Sequence, residues 1–125
     1  MSYKRIIFNG EPHYGKHVVH HSEGCNESIL DITSITSFII DLCDAINMVR
    51  YGDPFVARFG HGIEVGISAV QLIETSAITI HTNDGARELY LDVFSCKDYD
   101  AGIVSDMVTA YFDPEKQEQQ VLLRK

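Results

Sequence analysis

SAITIHTNDGARELYLDVFSC, residues 76–96, decides the fold. Residues 77–82 and 88–94 are rich in β-branched and aromatic side chains, and Asn83-Asp84-Gly85 between them tolerates the positive φ of a tight turn. A hairpin is predicted here. Upstream, residues 65–73 read as a long strand and 55–59 as a short one, with Gly60 and Gly62 as the turn, so the pattern extends to an antiparallel meander. Further upstream still, HVVHHS at residues 17–22 reads as a first strand. Between that strand and the meander, Asp31 can cap a helix whose Ile35, Phe38, Ile39, Leu42 and Ile46 recur at three- and four-residue steps. The helix runs through about Met48 and is stopped by Gly52 and Pro54. After the hairpin, Asp98 or Asp100 can cap a second helix that aligns Ile103, Met107, Ala110 and Tyr111, with Pro114 beyond its end and a last strand at residues 119–123. The expected fold is α+β, a two-layer sandwich of a mostly antiparallel sheet with two helices on one face, without internal repeat or linker.

The 125 residues suffice for one domain spanning 1–125 and its core, and 45% hydrophobic with 22% charged residues is a globular rather than a disordered composition. Ten Lys and Arg against eighteen Asp and Glu give a formal charge of −8, the wrong sign for binding nucleic acid or an anionic membrane surface. A cationic small molecule suits such a surface better. No apolar stretch approaches the roughly 18 residues of a membrane span, and residues 1–15 hold no apolar run ending in a small-residue cleavage site. Three cysteines, Cys25, Cys43 and Cys96, without a C-x-x-C pair, fit a reducing cytoplasmic setting.

Of six histidines, His20 and His21 are neighbours on a strand and point to opposite faces, which works against a shared metal ion, and no metal site is expected. Cys43 falls on the apolar side of the first helix and reads as core, and Cys25 as structural. Gly60-His61-Gly62 and Asn83-Asp84-Gly85 lack the strand-then-helix context of a phosphate loop and read as turns. One constellation has chemical promise: Ser76, His81 and Cys96, with Ser68 upstream. On neighbouring strands a hydroxyl, an imidazole and a thiol can converge and do nucleophilic and acid–base work.

These residues also carry a resemblance. GKHVVHHSEGC (15–25), SAITIHT (76–82) and LDVFSC (91–96) resemble the opening strand and the Ser-x-x-x-Ile-His-Thr and Asp-Val-Phe-x-Cys blocks of the short prokaryotic S-adenosylmethionine decarboxylases. The fifteen-residue step from His81 to Cys96 is the most specific part, and Phe112, Pro114 and the polar strand after them extend the likeness to the end of the chain.

The resemblance implies a self-processing proenzyme whose pyruvoyl group is made from Ser76, with no metal and no pyridoxal phosphate. Ser76 is then the nucleophile that attacks the carbonyl of Thr75, Ser68 stabilises the resulting oxyanion, and His81 removes the α-proton of Ser76 so that the ester eliminates. In the mature enzyme the substrate amine condenses with the pyruvoyl ketone, carbon dioxide leaves, and Cys96 returns a proton. Ser76 and His81 are five residues apart and face opposite sides of a regular strand, so a backbone change at Ser76 is expected. The implied substrate is S-adenosylmethionine, decarboxylated for polyamine (spermidine) synthesis, and the implied assembly is a homodimer of processed protomers whose residues jointly line the site.

Three departures accompany the match. Thr75 stands where the family typically has Glu, Asn83-Asp84-Gly85 where it has Trp-Pro-Glu, and Gly60-His61-Gly62 follows Phe59 where bulkier residues are usual. Phe59 remains as an aromatic against which a substrate can pack, and Asp84 or Glu88 can pair with a guanidinium or ammonium group. Two alternatives therefore stand beside the first: a pyruvoyl-dependent arginine or ornithine decarboxylase on the same fold, and an unprocessed relative that acts as a binding or regulatory subunit.

Overall fold

In a computed structural model, which describes residues 3–125, strands β1 (Ile6–Phe8) and β2 (Glu11–His13) form a small hairpin ahead of the main sheet. Asn9 and Gly10 turn it with φ of 51° and 78°, the paired positive values of a two-residue hairpin turn. No strand is expected there from the pattern considered above, although Asn-Gly is itself a hairpin signal.

The main sheet contains β3 (Gly15–Glu23), β4 (Phe55–Phe59), β5 (Gly66–Ile73), β6 (Ser76–Asn83), β7 (Glu88–Ser95) and β8 (Lys116–Arg124). Their spatial order is β4-β5-β6-β7-β3-β8, antiparallel at every step. The meander β4 to β7 is as expected, and β3 is held between β7 and the last strand, which is longer than the predicted 119–123.

Helix α1 (Ile32–Ala45) starts where the Asp31 carboxylate accepts from the Thr33 N–H at 3.1 Å. It ends before the expected Met48, because Asn47 turns left-handed (φ 59°) and the Met48 N–H bonds back to the Cys43 carbonyl at 2.8 Å. Gly52 and Pro54 therefore lie beyond the stop. Helix α2 (Ala101–Phe112) is capped by Asp100, whose carboxylate accepts from the Gly102 N–H at 2.8 Å, while Asp98 instead pairs with Lys16 at 2.6 Å. Its buried stripe is Val104, Val108 and Phe112, one position round from the face that Ile103, Met107, Ala110 and Tyr111 outline; Ala110 is exposed. Both sets have helical spacing, and the sheet's position selects the one that fills the core.

Both helices cover one face of the sheet. The α1 residues Ile35, Phe38, Ile39, Leu42 and Cys43 and the α2 stripe pack on Val18, Ile67, Ala69, Ile78, Ile80, Leu89, Leu91 and Val93. His20 also faces inward, with Nδ1 against Gln119 Oε1 (2.8 Å) and Nε2 against Ser22 Oγ (2.7 Å), and burial lowers its pKa. The other face of the sheet is uncovered and carries Phe55, Phe59, Val70, Leu72 and Tyr90 exposed. No helix among the described residues is long and apolar enough to cross a membrane.

Candidate active site

The β5–β6 connection is the tight turn Glu74-Thr75, so Ser76 opens β6 directly opposite Ile73 on one side and Ser95 on the other. The Thr75 carbonyl is hydrogen-bonded across to the end of β7. It accepts the Cys96 N–H at 3.0 Å, while the Thr75 hydroxyl meets Ser95 Oγ at 2.7 Å and donates toward Met48 Sδ at 3.5 Å. Ser95 Oγ in turn accepts the Lys97 N–H at 2.9 Å. Ser76 has φ 152°, a backbone region that L side chains rarely adopt and that costs about 1–3 kcal/mol where it is enforced. The backbone at Ser76 thus departs from a regular strand, although this does not bring Ser76 to His81. A strained serine thus follows a carbonyl that already accepts a backbone hydrogen bond, so charge developing on the Thr75 oxygen would meet a donor in place.

Ser68 and His81 form a second cluster. They are direct partners across β5 and β6, with Ser68 Oγ 2.8 Å from His81 Nδ1, on the uncovered face of the sheet. Gly66, two residues before Ser68, is required by close approach: a Cβ there would lie 1.8 Å from the Thr82 carbonyl oxygen. Phe59 pairs with Gly66 and Tyr90 with His81, so both rings border this cluster. Glu88 lies on the same face of β7, two residues before Tyr90, whose hydroxyl donates to Glu88 Oε2 at 2.7 Å. That bond raises the Tyr90 phenol above its ordinary pKa, with burial second. Glu88 also borders an open cleft of about 400 Å³ with Ile63, Asn83, Gly85 and Ala86.

The two clusters do not meet within one chain. Five residues of continuous strand separate Ser76 from His81, which at about 3.3 Å per residue is about 17 Å. The convergence of Ser76, His81 and Cys96 expected from the spacing thus fails in a single copy: Cys96 reaches the Thr75-Ser76 bond, and His81 and Ser68 do not. Asp84 needs a second correction. Its carboxylate is ion-paired with Arg58, whose Nη1 also donates to the Leu30 carbonyl at 3.1 Å, on the helix side of the sheet. Asp84 is therefore ion-paired within the chain and turned from the face that bears His81, which leaves Glu88 of the two acids that the sequence singled out.

Sequence reasoning missed Arg5, Ser95 and Met48. Arg5 precedes β1 and donates from Nε to the Cys96 carbonyl at 3.1 Å, with Nη2 4.0 Å from Cys96 Sγ. No pattern around residue 5 marks it, because the contact spans 91 positions of sequence. Cys96 is 5% exposed, and Cys25 and Cys43 are buried core thiols whose pKa burial pushes up to about 11. Among the described residues, no group of three or more His, Cys, Asp or Glu is placed to hold a metal ion.

Comparison with known proteins places the chain and its fold. The family model described as S-adenosylmethionine decarboxylase matches residues 16–125. The chain is 31% identical over 86 residues to a protein of Caldivirga maquilingensis named arginine decarboxylase proenzyme, a match over 68% of this chain and 63% of that relative's length. Its fold is similar to that of the adenosylmethionine decarboxylase from Aquifex aeolicus, with a TM-score of 0.75 at 22% identity over 90% of this chain and 91% of that one.

Proposed function

As the chain belongs to the S-adenosylmethionine decarboxylase family of pyruvoyl-dependent enzymes, we propose that it is a self-processing decarboxylase of a cationic amino acid, with arginine as substrate. The observation that carries the self-processing part is the Thr75 carbonyl held at 3.0 Å by the Cys96 N–H beside a serine at φ 152°. Ser76 Oγ attacks the Thr75 carbonyl carbon, the oxyanion is met by the Cys96 N–H, and collapse breaks the amide to leave an ester and a free Ser76 amine. Removal of the Ser76 α-proton by His81 then expels the Thr75 carboxylate. Addition of water and loss of ammonia leave the pyruvoyl group at position 76.

His81 and Ser68 lie about 17 Å along the strand from Ser76 in the same chain, so a second copy must deliver them. The uncovered face offers a means: it leaves Phe55 (72%), Phe59 (60%) and Leu72 (51%) exposed, apolar side chains that contact with a second copy would bury. We assign the assembly as a homodimer in which the Ser76 cluster of one protomer faces the Ser68–His81 cluster of its partner.

The pyruvoyl group supplies an electron-accepting carbonyl beside the carbon that loses carbon dioxide. The chain's own residues do the rest. Cys96, next to the processed position, returns the proton. Across the dimer interface, the Glu88 carboxylate, held by the Tyr90 hydroxyl, pairs with the cationic end of the substrate, and the Phe59 ring packs on its aliphatic part. Two further points support arginine: the relative named arginine decarboxylase proenzyme, and Asn83-Asp84-Gly85 in place of an aromatic that a nucleoside could stack on.

The test is the intact mass of the denatured protein followed by carbon dioxide release. Two fragments divided between Thr75 and Ser76, the second blocked at its N-terminus, with turnover of arginine, are expected. Turnover of S-adenosylmethionine alone overturns the substrate assignment, and a chain that stays whole on long incubation overturns the enzyme reading in favour of a regulatory subunit.

A further inference from the structure

The N-terminal hairpin precedes the stretch that matches the family model, and the functions assigned so far make no use of it. It is nevertheless firmly attached. Ile6 is 2% exposed, the Tyr14 N–H donates to the Arg124 carbonyl at 2.7 Å, and Lys125 pairs with Glu11 at 2.8 Å. What the hairpin brings to the reactive end of the sheet is Arg5. Its guanidinium lies over the Tyr3 ring (5.0 Å to the centroid), Tyr3 meets Tyr14 (6.3 Å between centroids), and Tyr14 meets Phe94 (6.4 Å), an aromatic train from the hairpin to β7. Held there, Arg5 donates to the Cys96 carbonyl and turns Nη2 to the Cys96 sulfur.

Cys96 is thereby fixed from two sides. Its N–H grips the Thr75 carbonyl, its own carbonyl is gripped by Arg5, and its sulfur lies 4.0 Å from Arg5 Nη2. A planar guanidinium can contact two atoms of one residue at fixed angles, which a lysine ammonium cannot reproduce. Cys96 follows the last residue of β7, and past its bond to the Thr75 carbonyl the strand pairing ends, so an outside clamp has an effect there.

We propose that Arg5 is a positioning residue for Cys96, serving both of its tasks: presenting the N–H that receives the Thr75 oxyanion, and presenting the thiol that returns the proton after decarboxylation. The second task has a distinctive failure. If the proton arrives at the pyruvoyl-derived carbon instead of the substrate carbon, the substrate nitrogen stays with the protein. Carbon dioxide has already left at that stage; hydrolysis of the imine releases the rest of the substrate as an aldehyde and leaves alanine at position 76, and the enzyme is dead. This part rests on the decarboxylase reading above.

Arg5→Ala tests both tasks. It is expected to slow self-cleavage about tenfold, the loss of one charge-assisted hydrogen bond, with recovery on adding free guanidinium and little recovery in Arg5→Lys. During turnover it should accumulate chains that open to N-terminal sequencing with alanine, at several times the wild-type fraction per turnover. A wild-type cleavage rate with a wild-type alanine fraction overturns the proposal, as does slowing that guanidinium does not relieve. A third readout needs no catalysis. In the uncleavable Ser76→Ala chain, adding Arg5→Ala should speed exchange of the Cys96 amide about tenfold while Ile78 and Val93 keep their protection. Unchanged protection at Cys96 removes Arg5 from its role even if wild-type protein never cleaves, whereas failure of wild-type cleavage with the exchange effect intact counts against the decarboxylase reading alone.

Discussion

The two ends of the β5–β6 hairpin are built in opposite ways. At the turn end, Thr75, Ser76, Ser95 and Cys96 are joined by backbone strain and short-range hydrogen bonds, largely shielded from water. At the far end, Ser68, His81, Tyr90 and Glu88 stand on an open sheet face, and their contacts are side chain to side chain. The first end has what bond rearrangement requires and lacks a base. The second has an imidazole and a carboxylate, and no reactive bond. In the reading proposed above these are two half-sites of one chain, and their separation along the strand, about 17 Å, is why that reading calls for a second copy.

The sharpest way to break this comparison is to remove one half at a time. Ser76→Ala should abolish cleavage and all decarboxylation, read by intact mass and carbon dioxide release, because the nucleophile is gone. His81→Ala should stop pyruvoyl formation by a factor of about 10² or more and leave an ester that hydroxylamine cuts. Co-expressing these two chains should then restore cleavage of the His81→Ala chain, whose Ser76 meets the partner's intact imidazole. If mixed dimers stay uncut, the half-sites do not combine in trans.

Gly66→Ala has the next largest effect. The added carbon would overlap the Thr82 carbonyl oxygen, so the strands must part beside Ser68 and His81, with a stability loss of about 1–3 kcal/mol in denaturant melts. That variant should lose the far half-site while a Ser76→Ala protein keeps its fold. Glu88→Gln should raise KM for arginine about tenfold with a smaller change in kcat, since it removes a charge-assisted bond to the substrate's end. Least of all, Thr75→Val should cost about 1 kcal/mol of stability, because Ser95 Oγ keeps the Lys97 N–H when the Thr75 hydroxyl is lost.

Much of this was legible in the residues themselves. Runs of β-branched and aromatic residues between turn signals mark the strands of the meander, Asp31 and one of two candidate aspartates, Asp100, mark where the helices begin, and Ser68, Ser76, His81 and Cys96 stand out by their chemistry. The motif match led to Ser76 and to a strained backbone there, and φ 152° is that strain. Legibility failed where a choice was left to packing. Asn47 stops α1 because its left-handed turn closes on Cys43, and α2 buries Val104 rather than Ile103 because of the direction from which the sheet approaches.

The sequence by itself determined the α+β class, the caps and the chemical identity of the reactive groups, since these follow from local periodicity and from side-chain chemistry that a neighbour cannot change. Only the tertiary structure decided how far apart those groups lie. Strand register converts a spacing of five residues into a separation rather than a contact, ion pairing with Arg58 removes Asp84 from consideration, and docking of the N-terminal hairpin places Arg5 on Cys96 across 91 residues of chain. Each is a long-range pairing, set by which surfaces bury one another and recorded in no local stretch of residues.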